Sequence, residues 1–450
     1  MKVAVLNGSP KGEYSITLQT ILFIQKKFKD CEFNIVNVGK KIRTFEKDMS
    51  EALSVINTSD IILFSYPVYT FIAPYQLHRF IELLKESGAN ISGKFATQFT
   101  TSKHFYDVTA HKFIEENCND LGLKYIKGLS ADMDDLLTPR GQKDALQFWE
   151  YVCFCYKEGI HEDTANNTVK TPEKSESVKA KEIAYNEINQ PNKESIDDTV
   201  IVTNFEPKDD KLKRMIDDFR RLYPHSTRVV NIREYPFTGG CLGCFNCAIN
   251  GKCVYKDNFD EYLRNNIQKA NALVYAFSIK DHSMGASFKL YDDRQFCNGH
   301  RTVTMGMPIG YIVNGDLTSE ANLKMIIEGR SEVGHNYLAG IATDKTGIEK
   351  LSKTLSYALK NNLVLPQNFY GIGGMKIFRD LIYVMKGMMK ADHKFYKAHG
   401  MYDFPQKKRG TILKMKLVGA LLSSPTVKKK IGNNINEGMI APYRKVIDGK

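Results

Sequence analysis

Val3-Ala4-Val5-Leu6-Asn7-Gly8-Ser9-Pro10-Lys11-Gly12-Glu13-Tyr14-Ser15-Ile16-Thr17 is the stretch on which the reading of this chain turns. Four aliphatic residues in succession fit a strand buried on both faces, as in a parallel sheet. Gly, Ser, Pro and Gly then stop the strand and let backbone N–H groups turn inward. Ser15 and Thr17 open a helix whose apolar side carries Leu18, Ile21, Leu22 and Phe28. A strand, a hydroxyl-rich loop and a helix N-terminus make an anion site, because the first N–H groups of a helix lack partners and its dipole favours negative charge. The spacing is neither a Walker A loop nor a GxGxxG fingerprint. A plain strand-to-helix turn has the same ingredients.

Outward from that stretch, strands and helices alternate, which favours a parallel sheet covered on both faces. A second strand is expected over 32–38, a polar helix over 46–57 and a third strand over 60–65. The third strand runs into Tyr66-Pro67-Val68-Tyr69-Thr70, followed by a helix over 74–85. A fourth strand, 94–100, ends in Thr101-Ser102-Lys103-His104-Phe105-Tyr106 before a helix over 108–121. A fifth strand over 124–131 and a helix over 142–156 complete the unit. In open α/β sheets ligands collect at the carboxyl ends of the strands. Three such ends here are rich in Ser/Thr, in Pro/Tyr and in Thr with aromatics. Cys31, Cys118, Cys153 and Cys155 lie in apolar surroundings and read as packing residues.

This trio of loops resembles the flavodoxin-like NAD(P)H-dependent FMN reductase family. The resemblance implies an FMN phosphate on Ser9, Lys11, Ser15, Ile16 and Thr17. It further implies a flavin ring between Pro67, Val68, Tyr69 and Thr70 on one side and Thr101, Ser102 and Tyr106 on the other.

From His161 to Asp198 the composition shifts to Asn, Thr, Glu, Lys and Ser, the signature of a linker, with a fraying helix near 175–188. The pattern then starts again: strands are expected over 199–203, 228–232 and 272–277 and within 302–313, and a helix over 210–222. Two tandem flavodoxin-like, doubly wound parallel sheets are therefore expected. The second has departed from the first where a flavin would sit. Its first loop, Thr203 to Asp210, lacks the Gly-Ser pair and carries acidic residues, which oppose a phosphate. Its second loop, Ser278 to Met284, has no Pro-Val-Tyr, and His282 there reads as a solvated loop histidine. Ala286 to Arg294 still resembles the family's helix ending in Asp-Arg.

What the second unit has gained is Cys241, Cys244, Cys247 and Cys253, spaced C-x2-C-x2-C-x5-C among four glycines. Four thiolates on one centre suit a [4Fe–4S] cluster or a tetrahedral zinc. Zinc sites commonly pair two CxxC knuckles across a longer gap, and successive x2 spacings are a cluster habit. Gly-Lys-Cys-Val with a trailing Asp257 resembles the iron–sulfur flavoproteins, in which the cluster passes electrons to FMN and the two approach between subunits. With flavin loops in one unit and cysteines in the other, an internal pseudo-dimer would bring one cluster to one FMN. Cys297 reads as packing.

The chain has 450 residues and a formal charge of +12. From Lys376 onward 17 Lys/Arg stand against 5 Asp/Glu, so the charge belongs to one appendage. There Ile377, Phe378, Leu381, Ile382, Met385, Met388 and Met389 fall at helical spacings, and Thr411 to Leu422 is apolar with Lys414 and Lys416. An extension packed on the domains fits this pattern, as does a peripheral contact with an anionic membrane. No nucleic-acid module is recognisable. No apolar run reaches the roughly 20 residues of a membrane span. Nothing at the start resembles a signal peptide, and nine cysteines without one point to a reducing cytoplasm. The expected division is a flavin domain over 1–160, a linker over 161–198, a cysteine-bearing domain over 199–375 and a basic helical extension over 376–450. The expected activity is FMN-dependent electron transfer with the cluster, fed by NAD(P)H or a low-potential carrier protein. An NAD(P)H-dependent flavin or quinone reductase with structural zinc is the first alternative. A non-catalytic or membrane-associated redox partner is the second. Further homo-oligomerisation is left open.

Overall fold

The computed structural model describes residues 1–162 and 198–424. In the first domain the order is β1 (Lys2–Asn7), α1 (Ile16–Lys27), β2 (Glu32–Val36), α2 (Val38–Phe45), α3 (Ser50–Asn57), β3 (Ile61–Pro67), α4 (Tyr75–Glu86), β4 (Phe95–Ser102), α5 (Asp107–Asp120), β5 (Lys124–Tyr125), β6 (Leu129–Asp132) and α6 (Pro139–Glu158). Val3 to Leu6 are fully buried, as a strand covered on both faces requires. The strands are all parallel in the order β2-β1-β3-β4-β5, with β6 also on β4. The expected fifth strand is thus two short pieces. Helix α2 had no counterpart in the sequence reading, because its periodic stretch is only eight residues long.

The second domain runs β7 (Asp198–Thr203), α7 (Asp210–Leu222), β8 (Ser226–Asn231), α8 (Asn246–Asn250), α9 (Phe259–Tyr262), β9 (Ala272–Ser278), α10 (Gly285–Arg294), β10 (Pro308–Asn314), α11 (Ala321–Val333), β11 (Tyr337–Ala342) and α12 (Lys345–Lys360). Its parallel sheet has the order β11-β10-β9-β7-β8. Counted within each domain, both sheets read 2-1-3-4-5, the flavodoxin-like order.

Each sheet has a private outer core: α1 and α6 cover one, and α7 and α12 the other. Between the sheets a single apolar cluster extends from Ala4 to Val333 without a break. Helix α4 packs on α10 and α5 on α11. Each pair joins the helices that follow the same strand in the two domains, so the halves meet about a pseudo-two-fold axis as an isologous dimer does. An interface continuous with the core behaves as a core rather than as a wet domain contact.

Three helices follow: α13 (Phe369–Val384), α14 (Lys390–Ala398) and α15 (Arg409–Leu422). The boundary expected at residue 376 falls inside α13. Charge counting sees only the outer face of that helix, whereas its inner face packs on α11. Gly374 permits the approach, since a Cβ there would stand 2.8 Å from both Phe105 and Val333. Residues 1–393 form one compact unit and 394–450 a second. Within the second, α15 is exposed along its described side chains. No helix of the described residues is long and apolar enough to cross a membrane. The helix expected near 175–188 and the lysines 428–430 lie outside the described residues.

Candidate functional site

The loop after β1 is held open by its own residues. Asn7 donates from Nδ2 to Gly12 O at 2.9 Å and to Asn37 Oδ1 at 2.9 Å, and its Oδ1 accepts from Ser9 N at 3.3 Å. Ser15 caps α1 by accepting from Leu18 N at 3.3 Å. The N–H groups of Ile16 and Thr17, in the first turn, have no acceptor within a helix. Thr17 is fixed by a 2.7 Å hydrogen bond between its hydroxyl and that of Thr101 at the end of β4. Ser9, Ser15 and Thr17 are all buried yet line a cavity of about 490 Å³. Buried hydroxyls and free N–H groups around a cavity of that size fit the phosphate end of a nucleotide.

The second strand end is shaped from across the interface. Thr70 and Phe71 both have left-handed backbones, with φ of 39° and 76°. Helix α10 of the other domain holds this turn. Asp293 accepts from the Thr70 hydroxyl at 2.7 Å and from Tyr75 N at 2.7 Å, while Lys289 donates to Tyr69 O at 2.8 Å and to the Thr70 hydroxyl. Lys289 and Asp293 pair at 2.5 Å with no exposure on either side chain. Burial holds the Asp293 carboxyl above its ordinary range, and the Lys289 ammonium offsets only part of that rise. Such a strained turn survives because its surroundings over-determine it.

The cysteine loop lies against these first-domain residues. Gly243 has φ +60°, and a Cβ there would lie 1.9 Å from the Tyr69 hydroxyl oxygen. Gln76 donates to Cys241 O at 3.3 Å, and the Lys11 ammonium stands 5.4 Å from the Phe245 ring centre. Burial and then the thiol of Cys241 raise the Tyr69 phenol far above its ordinary range, which keeps it protonated. Three arginines pin the loop's carbonyls: Arg294 to Gly239 O at 2.8 Å, Arg264 to Gly251 O at 2.6 Å and Arg301 to Cys247 O at 3.2 Å. Arg294 in turn grips Asp257 through two bonds of 2.8 and 2.7 Å. Burial raises the thiol of Cys241 and pushes Cys247 up to about 11. Asp257, Asp260 and Asp392 pair with these three arginines, so the arginines fix the shape of the loop rather than lend it net positive charge.

Among the described residues, the groups of three or more ligand atoms that converge within 4.8 Å are His78, Glu82 and Asp281, and Glu116, His282 and Glu320.

All the expected flavin residues except Tyr106 line the same cavity, as do Cys241, Cys244, Cys247 and Cys253. Tyr106 turns away: it packs on Phe71 at 4.1 Å and donates to Tyr370 O at 3.0 Å, and Phe105 takes its place in the wall. Sequence reasoning missed Lys289 and Asp293, which act across the interface, and the wall made by Ile377, Phe378, Leu381 and Met385 of α13. Phe378 stacks on Phe105 at 4.3 Å. A helical apolar spacing was the available signal for α13, but it does not say what the face covers. His282 is not a solvated loop residue. Burial acts to lower it, but Asp120 at 3.1 Å and Glu320 at 3.0 Å outweigh burial and hold it up at about 10. In the second domain's first loop, Glu206 pairs with Arg233 at 2.8 Å and does not line the cavity.

The fold and these loops define a nucleotide-binding α/β protein of the flavodoxin-like type. The model of the NADPH-dependent FMN reductase family matches residues 1–109. An iron–sulfur flavoprotein of Archaeoglobus fulgidus is 25% identical over 173 residues, covering 36% of this chain and 78% of that protein. One of Clostridioides difficile is 26% identical over 153 residues, covering 30% of this chain and 68% of that protein. Among solved structures, the general stress protein 14 of Treponema denticola in complex with FMN has a TM-score of 0.29 at 12% identity, covering 34% of this chain and 98% of that one. The likeness to the FMN reductase family is confined to residues 1–109, and with the fold it supports a flavin-dependent oxidoreductase.

Proposed function

We propose that the protein passes electrons between FMN held by the first-domain loops and a [4Fe–4S] cluster ligated by Cys241, Cys244, Cys247 and Cys253. NAD(P)H or a low-potential carrier protein is the donor. The observation that carries this reading is that the flavin-type loops of one domain and the four cysteines of the other line one cavity. When bound, FMN supplies exchange between two-electron and one-electron chemistry, and the cluster supplies a one-electron port. The chain's own residues bind, orient and exclude water. Ser9, Ser15, Thr17 and the first N–H groups of α1 take the phosphate. Pro67, Val68, Tyr69, Thr70, Thr101 and Ser102 flank the ring, and Lys11 bridges toward the cysteine loop. Arg264, Arg294 and Arg301 fix the ligand loop, and Phe378 and its neighbours on α13 keep water out.

The C-x2-C-x2-C-x5-C spacing along the chain supports a cluster over zinc, and so do the names of the two curated relatives. The test is anaerobic purification, with iron, sulfide and FMN counted per chain. About four irons and one FMN are expected, and Cys241→Ser and Cys244→Ser should each remove the iron while leaving the flavin. Zinc with FMN would leave a plain flavin reductase, and neither iron nor flavin would overturn the redox reading. In the second unit Leu413, Leu417 and Leu421 are each about 60% exposed, four residues apart on α15, beside Lys414 and Lys416. That pattern supports a peripheral membrane contact, which sedimentation with anionic vesicles tests.

A further inference from the structure

The pseudo-two-fold axis pairs two turns of the same shape. Tyr69 bridges to Ile72 in the first domain and Lys280 to Ser283 in the second. Between them lie Thr70 and Phe71 in one and Asp281 and His282 in the other, all four with positive φ. The register carries on into the helices that follow. Tyr75 N donates to Asp293 at 2.7 Å, and its mate Ala286 N donates to Glu82 at 2.8 Å. His78 thus corresponds to Lys289, Glu82 to Asp293 and Asp281 to Thr70.

Around the first turn the arrangement is complete: the Lys289 ammonium sits among Asp293, the Thr70 hydroxyl and Tyr69 O. Around the second turn the central cation is missing. Histidine is shorter than lysine, so His78 places no ammonium where Lys289 places one on the other side. His78 is fully buried, packed edge-on to Phe113, with neither ring nitrogen hydrogen-bonded. Asp281 Oδ2 is likewise buried without a donor. A ligand atom from each of His78, Glu82 and Asp281 lies within 4.8 Å of the others. A buried imidazole with both nitrogens unsatisfied is costly unless something takes its lone pair.

We propose that His78, Glu82 and Asp281 bind one divalent transition-metal ion, which stands where the Lys289 ammonium stands on the other side of the axis. One imidazole and two carboxylates are a ligand set for zinc, manganese or ferrous iron rather than for calcium or magnesium. The carboxylates already meet cations from outside: Arg79 at 2.8 Å and Lys280 at 3.1 Å on Glu82, and Lys85 at 3.0 Å on Asp281. Lys280 is half exposed and returns to solvent when the ion takes a Glu82 oxygen. The ion ties α4 of one domain to the turn of the other, and none of its three ligands lines the cavity of the flavin loops.

The experiment uses the holoprotein with its flavin and any iron in place, dialysed against micromolar zinc and then counted for metal. One zinc per chain is expected in the wild type and none in His78→Lys, which supplies the mate's ammonium in place of the ion. Iron and flavin should be unchanged. Zinc should raise the thermal midpoint of the wild type and leave that of His78→Lys where it is. Asp281→Thr, the mate's residue, should weaken zinc at least tenfold and serves if His78→Lys does not fold. A wild type that takes up no zinc, or a His78→Lys protein that takes up as much, overturns the site. Should the cysteines themselves hold zinc, the wild type carries two ions, Cys241→Ser one and His78→Lys one, so the two readings fail separately.

Discussion

The two domains share a strand order and a shared helical layer, and differ in what stands at equivalent places. Near the first turn a lysine–aspartate pair is sealed with no exposure, and near the second a histidine and two carboxylates face Lys280, Lys85 and Arg79. The first loop of one domain is Asn-Gly-Ser-Pro, with buried hydroxyls on the cavity, and that of the other ties its carboxylate to Arg233. A scaffold of this kind needs only one competent flavin site. The other side is free to become structure.

The largest difference is expected on removing the cation from the sealed side. Lys289→Met leaves Asp293 buried without its partner, and urea unfolding should show a loss of about 3–5 kcal/mol. Next is the ion cluster at the opposite turn, where His282 faces Asp120, Glu320 and Glu116, and Lys85 reaches Asp120. Its folded value of about 10 lies above the ordinary 6.5. Its contribution is therefore full below pH 6.5 and lost as pH rises through 10. His282→Gln should cost about 2 kcal/mol at pH 6, between the exposed and the buried limits for ion pairs. The gap from wild type should close by pH 10.5, and a constant gap would show that packing rather than charge is at work. Smallest is the pair of helix starts. Ser15→Ala should cost about 1 kcal/mol and weaken FMN. At the matching start Asp209 caps no helical N–H, so Asp209→Ala should stay within about 0.5 kcal/mol and leave the flavin titration unchanged. Equal effects on flavin would break the comparison.

The cysteine set and the first loop were legible in the sequence because their chemistry is written within a few residues of chain. The Val3–Leu6 strand and the capping Ser15 were legible for the same reason. Lys289 and Asp293 were not, since they act on Thr70 and Tyr75, more than 200 residues away along the chain, and on their own helix they look like an ordinary polar face. Tyr106 was misplaced because an aromatic at a strand end can face either the ligand or the neighbouring helix, and Gly329 and Phe71 made room for it behind the wall. The sequence around His282 shows only a polar loop, because its partners Asp120 and Glu320 come from different elements. Helix α13 has the charge pattern of an appendage in the sequence, and its packing against Phe105 shows only in the fold.

The unbroken apolar cluster between the sheets has a consequence for heredity. A homodimer comes apart on dilution, and every change in its gene is made twice, once in each subunit. Halves joined in one chain meet at a fixed effective concentration, and each position is altered once. A substitution that spoiled one turn could therefore persist while its counterpart kept working, and the two sides were free to drift toward different tasks.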